Sequence, residues 1–251
     1  MQKIGIIYFS GTGNTAYVAG TMKKQLEKRN IQVDLINIEK DSINPRGYDG
    51  IILGGPVYVE RYPENLLKYA EKNLVGYRKK CMLFSTQGTD KGTVTFQHAI
   101  NRLSFLHITY CQYFYMPNNF YNFMFKKFTE EARAAAIKAI PETCEKSLGE
   151  FIEGKNQFYN EASVKVYFID KVYKLIYPHC IGLITRKIKV DRDKCVDCRI
   201  CEKNCPTGAV KIKGKVMFSN NCLLCQRCMS NCPKKAFMVK DKPYDQYRFK
   251  A

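Results

Sequence analysis

Eight of the twelve cysteines in this 251-residue chain fall in two matched runs. The first is Cys195, Cys198, Cys201 and Cys205, followed by Pro206; the second is Cys222, Cys225, Cys228 and Cys232, followed by Pro233. Each reads C-x2-C-x2-C-x3-C-P. A cubane iron–sulfur cluster needs four thiolates around a compact core, and cysteines three apart on a tight loop can wrap three corners of one cube. Zinc is the first alternative, but zinc ribbons use C-x2-C pairs with longer spacers rather than three cysteines in seven residues. Disulfides are the second. They need an oxidising compartment, and Met1 leads straight into an apolar run, so no targeting segment is expected.

The flanks of the two runs also match. Pro206 and Pro233 fix a turn or helix start after the last cysteine. A short β-like piece follows each run, Ala209–Ile212 and Ala236–Val239, and another precedes it, Ile188–Val190 and Lys215–Phe218. The segment is thus an internal repeat with two-fold pseudo-symmetry. It resembles the bacterial ferredoxins that carry two 4Fe–4S clusters. That resemblance implies crossed ligation: Cys195, Cys198, Cys201 and Cys232 on one cluster, and Cys222, Cys225, Cys228 and Cys205 on the other.

A second chemical site opens the chain. After the apolar run Lys3–Phe9 comes Ser10-Gly-Thr-Gly-Asn-Thr15. Small residues let backbone N–H groups approach an anion, and a helix starting there aims its N-terminus at the same point. Ser10, Thr12 and Thr15 can add hydroxyl hydrogen bonds. No G-K-[ST] is present, which excludes a Walker A loop, and no G-x-G-x-x-G, which excludes the dinucleotide fingerprint. The terminal phosphate of a mononucleotide fits better. The loop Ser10, Gly11, Thr12, Gly13, Asn14, Thr15 resembles the FMN-phosphate loop of the flavodoxins, in the position they use.

The elements that must position this loop alternate in type. Ile31–Ile38, Tyr48–Leu53, Lys80–Ser85 and Tyr110–Met116 read as strands; Thr15–Arg29, Pro63–Leu74 and Val94–Leu106 read as helices. Alternation implies a parallel sheet covered on both faces, and the resemblance implies a doubly wound α/β sheet of order 2-1-3-4-5. By the same resemblance the flavin ring lies between the loop of Pro56, Val57 and Tyr58 and the loop of Thr86, Gln87 and Gly88. Tyr58 is the first stacking candidate and Tyr62 the second. The Thr86–Gly92 loop has no aromatic residue, so one ring face is expected to be open to a substrate or to the cluster domain.

Residues 117–187 match neither module. The aromatic stretch Pro117–Phe125 is expected beside the flavin domain. Lys126–Glu153 reads as a helix interrupted at Pro141, and Val164–Tyr177 as a second helix, either a linker or a membrane-surface element because tyrosines and lysines alternate on it. Cys81, Cys111, Cys144 and Cys180 read as buried thiols; His98, His107 and His179 form no metal-ligand pattern. No stretch is long and apolar enough to span a membrane.

These readings predict a flavodoxin-like domain over 1–125, a helical bridge over 126–187 and an α+β two-cluster ferredoxin domain over 188–243. The whole chain resembles a fusion family of anaerobes with those two parts. The resemblance implies electron transfer between two 4Fe–4S clusters and FMN, in a reducing cytoplasm. No side chain stands out as an acid or base. A flavin-dependent oxidoreductase with its own small substrate is the alternative, and a redox-sensing module for nucleic acid or membrane a weaker one. The net charge of +18 favours anionic partners such as acidic ferredoxins, flavodoxins or oxidoreductases.

Overall fold

The computed structural model describes residues 1–89, 94–159 and 179–249. Five strands, β1 (Lys3–Tyr8), β2 (Gln32–Asn37), β3 (Gly50–Pro56), β4 (Lys80–Gln87) and β5 (His107–Tyr115), form one parallel sheet of order β2-β1-β3-β4-β5. The predicted doubly wound sheet is therefore present with its predicted order. Strand apolar runs are continuous because both faces are covered. On one face Ile7, Leu53 and Leu83 pack beneath α2 (Glu64–Asn73) and α3 (Thr95–Arg102). On the other, Ile6, Ile52, Met82 and Phe84 pack beneath α1 (Asn14–Glu27) and α4 (Glu130–Glu153).

Helix α4 differs from its sequence expectation twice. It runs unbroken through Pro141, and its buried stripe Ile140, Cys144, Leu148 and Phe151 belongs to the same core as α1. A proline removes one ladder bond. Here the missing bond is outweighed by that packing stripe and by caps at both ends, where Thr129 Oγ1 accepts from Ala132 N–H and Gly154 turns left-handed. The stretch that sequence alone places in a bridge thus begins with a helix of the sheet's own core. Beyond it, Gln157 pairs with the β5 edge at Thr109 and Cys111 and covers that edge. The expected helix Val164–Tyr177, and its membrane-surface reading, lie outside the described residues.

The C-terminal part is small. It holds β6 (Ile188–Val190), α5 (Ile200–Lys203), β7 (Val210–Lys213), β8 (Lys215–Phe218), α6 (Arg227–Ser230), β9 (Phe237–Val239) and β10 (Lys242–Pro243). Strands β6, β9 and β10 form one antiparallel sheet and β7 and β8 a hairpin. Its apolar core includes Ile188, Val210, Met229, Phe237 and Val239, together with Phe123 from the aromatic stretch. That stretch is expected beside the flavin domain, and most of it lies there; Phe123 in addition fills the core of the second module, which is too small to bury enough apolar surface alone. Cys81, Cys111 and Cys144 are buried as expected, whereas Cys180 is half-buried. No helix among the described residues is long and apolar enough to cross a membrane.

Candidate functional site

A cavity of about 340 Å³ opens where β1, β3 and β4 end, on the side from which their loops emerge. Ser10, Gly11, Thr12, Asn14, Thr15, Pro56, Val57, Tyr58, Thr86, Gln87 and Gly88 all line it. Gly13, the remaining residue named from sequence, is the left-handed N-cap of α1 (φ 112°) and lies outside the lining. The two loops are tied together, with Thr15 Oγ1 2.8 Å from Thr86 Oγ1. Ser10 Oγ accepts the Gly13 N–H at 3.2 Å, and Asn119 Nδ2 donates to Thr12 Oγ1 at 2.9 Å. Helix α1 starts without a side-chain cap and without an acidic residue in its first turn. Its leading N–H groups are thus available to an anion.

The other end of the cavity is apolar. Tyr58 opens a tight turn closed by its backbone pairing with Arg61, with Val59 and Glu60 left-handed (φ 49° and 64°). Tyr62 is not at the cavity. It is buried, donates its hydroxyl to the Phe84 carbonyl at 2.7 Å, and is held neutral by burial. Its position four residues past Tyr58 turns it into the core beneath the loop. The face expected to be open is flanked by Phe120, Met124 and Phe125, with Leu224 arriving from the second cysteine run. A flat aromatic ring with a phosphate tail suits this lining of apolar end and hydroxyl-and-amide end. Asn118 Oδ1 is buried there without a hydrogen-bond partner, an acceptor that an N–H of a bound ring would satisfy.

The cysteines form two groups. Cys195, Cys198 and Cys201 line one cavity together with Cys232 from the other run. Cys205 lies within electrostatic reach of Cys222, Cys225 and Cys228. The backbone repeats what the sequence repeats. In each run the second and fourth residues after the first cysteine are left-handed: Asp197 and Arg199, then Leu224 and Gln226. Alternating handedness turns successive N–H groups inward, a concavity suited to an anionic cluster. After each last cysteine a left-handed residue, Gly208 or Lys235, brings the next N–H back to sulfur: Ala209 N donates to Cys205 Sγ at 3.2 Å and Ala236 N to Cys232 Sγ at 3.4 Å.

The two groups differ in burial. Cys198 is exposed, while Cys225 and Cys228 are buried. Burial pushes the Cys222 thiol up to about 12 and Cys225 to about 11. Iron would hold both as thiolates. Among the described residues no three metal-binding side chains converge as a single ion requires.

Arg227 joins the two sites, and sequence reasoning did not single it out. It follows Cys225 by two residues, sits 5.3 Å above the Phe9 ring, and pairs with Glu39 at 2.6 Å. Its guanidinium donates to the Ser10 carbonyl at 2.6 Å and to the Gly11 carbonyl at 3.2 Å. Asn118, Phe120, Leu224 and the tail Tyr244–Phe249 were also missed. Only the aromatic composition of 117–125 could have pointed to any of them.

A family model described as a flavodoxin domain matches residues 5–115, and one described as a 4Fe-4S binding domain matches residues 187–210. No curated protein matches the chain. Among solved structures, a Fusobacterium nucleatum flavodoxin bound to flavin mononucleotide is 15% identical and covers 61% of this chain and 98% of its own, with a TM-score of 0.43. A flavoprotein from Bacteroides eggerthii is 19% identical, covering 55% and 97%, with a TM-score of 0.39. A Lactobacillus acidophilus flavoprotein in complex with FMN is 15% identical, covering 45% and 93%, with a TM-score of 0.40. The two matched models follow one another along the chain, which therefore fuses a flavodoxin domain to a ferredoxin-type 4Fe–4S domain and is an electron-transfer flavin and iron–sulfur protein.

Proposed function

We propose that the protein passes electrons between two 4Fe–4S clusters and FMN and exchanges them with a redox partner. The observation that carries this reading is the mixed cavity in which Cys195, Cys198 and Cys201 meet Cys232 from the other run. Crossed sharing of that kind makes two clusters, not one, the natural content of the repeat. In this reading Cys222, Cys225, Cys228 and Cys205 hold the second cluster. Ser10–Thr15 hold the FMN phosphate, and Pro56, Val57, Tyr58, Thr86, Gln87 and Gly88 flank the ring. The clusters supply one-electron exchange and the flavin one- or two-electron exchange.

The residues divide the labour by burial. Leu224, next to Cys225 in the chain, lines the flavin cavity, an apolar side chain suited to keeping water from the inner junction. Cys198 and the 59%-exposed Val196 face solvent, which makes the outer cluster the docking end. Around that end Asp197 and Asp191 are already paired with Arg192 and Lys194. Arg199 and Lys234 line the outer cavity, and Lys203 and Lys235 are exposed nearby, all four without an ion-pair partner among the described residues. An acidic redox protein is the partner this surface suits. Residues 1–125 with α4 form the flavin module, 188–243 the cluster module, and the reducing cytoplasm the setting. Phe120 and Phe125 line the cavity and leave less of it for a substrate, which favours a carrier over an enzyme with its own substrate.

Anaerobic purification followed by iron, sulfide and flavin assay and EPR of the reduced protein tests this. Two interacting clusters and one FMN per chain are expected. In Cys205→Ser the signal of the inner cluster should change and that of the outer one persist. One cluster per chain, or zinc without sulfide, would overturn the reading.

A further inference from the structure

We infer that the phosphate loop Ser10–Asn14 is held in its anion-binding shape by the ferredoxin-type half, through Arg227 and the tail residues Tyr247 and Phe249, so that the FMN site is complete only when the inner cluster loop is folded. The inference rests on the FMN reading proposed above. Three consecutive loop carbonyls accept hydrogen bonds from that half. Ser10 and Gly11 accept from Arg227, at 2.6 Å and 3.2 Å, and Thr12 accepts from the Phe249 N–H at 2.9 Å. Tyr247 donates its hydroxyl to Asn14 Oδ1 at 2.6 Å. Neither Arg227 nor Phe249 lines the flavin cavity, so these bonds draw the carbonyls away from it.

Peptide geometry converts that pull into a binding surface. No peptide bond among the described residues is cis. In a trans peptide the carbonyl of one residue and the N–H of the next point in opposite directions. Holding the carbonyls of Ser10, Gly11 and Thr12 outward therefore turns the N–H groups of Gly11, Thr12 and Gly13 inward. Gly13 N–H is taken by Ser10 Oγ at 3.2 Å. The Gly11 and Thr12 amides remain, beside the first turn of α1, to meet a phosphate.

Arg227 acts here by position rather than by charge. Glu39 takes both of its terminal nitrogens at 2.6 Å, neutralising the guanidinium while fixing its plane. The planar fork can then serve two carbonyls and a carboxylate at once, which an ammonium cannot. Arg227 also lies between Cys225 and Cys228, so release of the inner cluster loop releases the arginine. FMN retention and cluster retention are thereby linked, each stabilising the other.

The test compares cluster-loaded full-length protein with Arg227→Met, Arg227→Lys and a chain lacking residues 247–251. FMN affinity is read by fluorescence quenching, amide exchange of residues 11–14 by mass spectrometry without flavin, and folding by far-UV circular dichroism and iron content. Losing hydrogen bonds from a charged donor predicts roughly 10- to 100-fold weaker FMN binding in Arg227→Met, with Arg227→Lys only partly restoring it. The truncated chain, whose cysteines are all intact, should also bind FMN more weakly, and both variants should exchange loop amides faster. Wild-type protein that binds no FMN would overturn the flavin reading, while the exchange measurement would still decide the role of Arg227. Wild-type protein that binds FMN, with variants that match it in both affinity and exchange, would overturn this inference alone.

Discussion

Gly11 lies where the two halves pack tightly against one another. A Cβ there would collide with Tyr58 Oη and lie 3.0 Å from the Cys225 carbonyl and 3.1 Å from Cys225 Cβ. The tyrosine can swing aside, but the Cys225 backbone is part of the cluster loop and cannot. Gly11→Ala should therefore destabilise the junction by about 1–3 kcal/mol, the usual cost of forcing extra volume into packed contacts. Thermal unfolding and FMN titration of the variant check this; an unchanged midpoint with unchanged affinity would mean the contact yields. A glycine in a β–α loop is readable from sequence as room for an anion. That the room is also needed for a cysteine 214 positions along the chain is not readable.

At the scale of elements, the strands and helices of the sheet followed from their apolar runs, because a parallel strand buried on both faces has no polar alternation to confuse it. Helix α4 did not. Pro141 suggested a break, yet the buried stripe on either side holds the helix together. Pro141 itself is exposed, so its replacement by alanine disturbs no packing. Pro141→Ala should restore one ladder bond and raise stability by about 1–3 kcal/mol. Calorimetry should show a higher unfolding temperature; a lower one would mean the proline shapes the helix to fit α1. The paired left-handed residues in the cysteine runs are a second element-level surprise. Asp197, Arg199, Leu224 and Gln226 carry no glycine signal, and only the need to wrap backbone around a cluster explains their conformation.

For the whole molecule, charge and burial run along one line. The outer cysteine group has the exposed Cys198 and cations without an ion-pair partner among the described residues, the inner group has the buried Cys225 and Cys228, and Leu224 beside Cys225 lines the cavity at the sheet's end. Electron delivery from an acidic donor should therefore be steered at the outer end. Reversing Arg199 and Lys234 to glutamate should slow reduction by such a donor severalfold at low ionic strength and flatten its salt dependence. Reduction by a small neutral reagent should be unaffected. Stopped-flow measurement separates the two, and equal slowing for both reductants would place the docking face elsewhere.

The local patterns of this protein are legible without its fold: two C-x2-C-x2-C-x3-C-P runs, the small-residue loop Ser10–Thr15 after the first strand, and strand–helix alternation between them. Each is a local pattern whose spacing is set by the chemistry it serves, so each survives without knowledge of its neighbours. The tertiary structure alone decided how the two modules meet. Arg227, Leu224, Phe123, Tyr247 and Phe249 have no local signature, because their roles depend on residues far away in the chain, more than two hundred positions for Arg227, Tyr247 and Phe249. Sequence patterns alone predict a flavin domain joined to a ferredoxin domain by a bridge. The fold instead lays the second cysteine run on the loop Ser10–Asn14 itself, since a module with so small a core gains stability by packing on its larger neighbour.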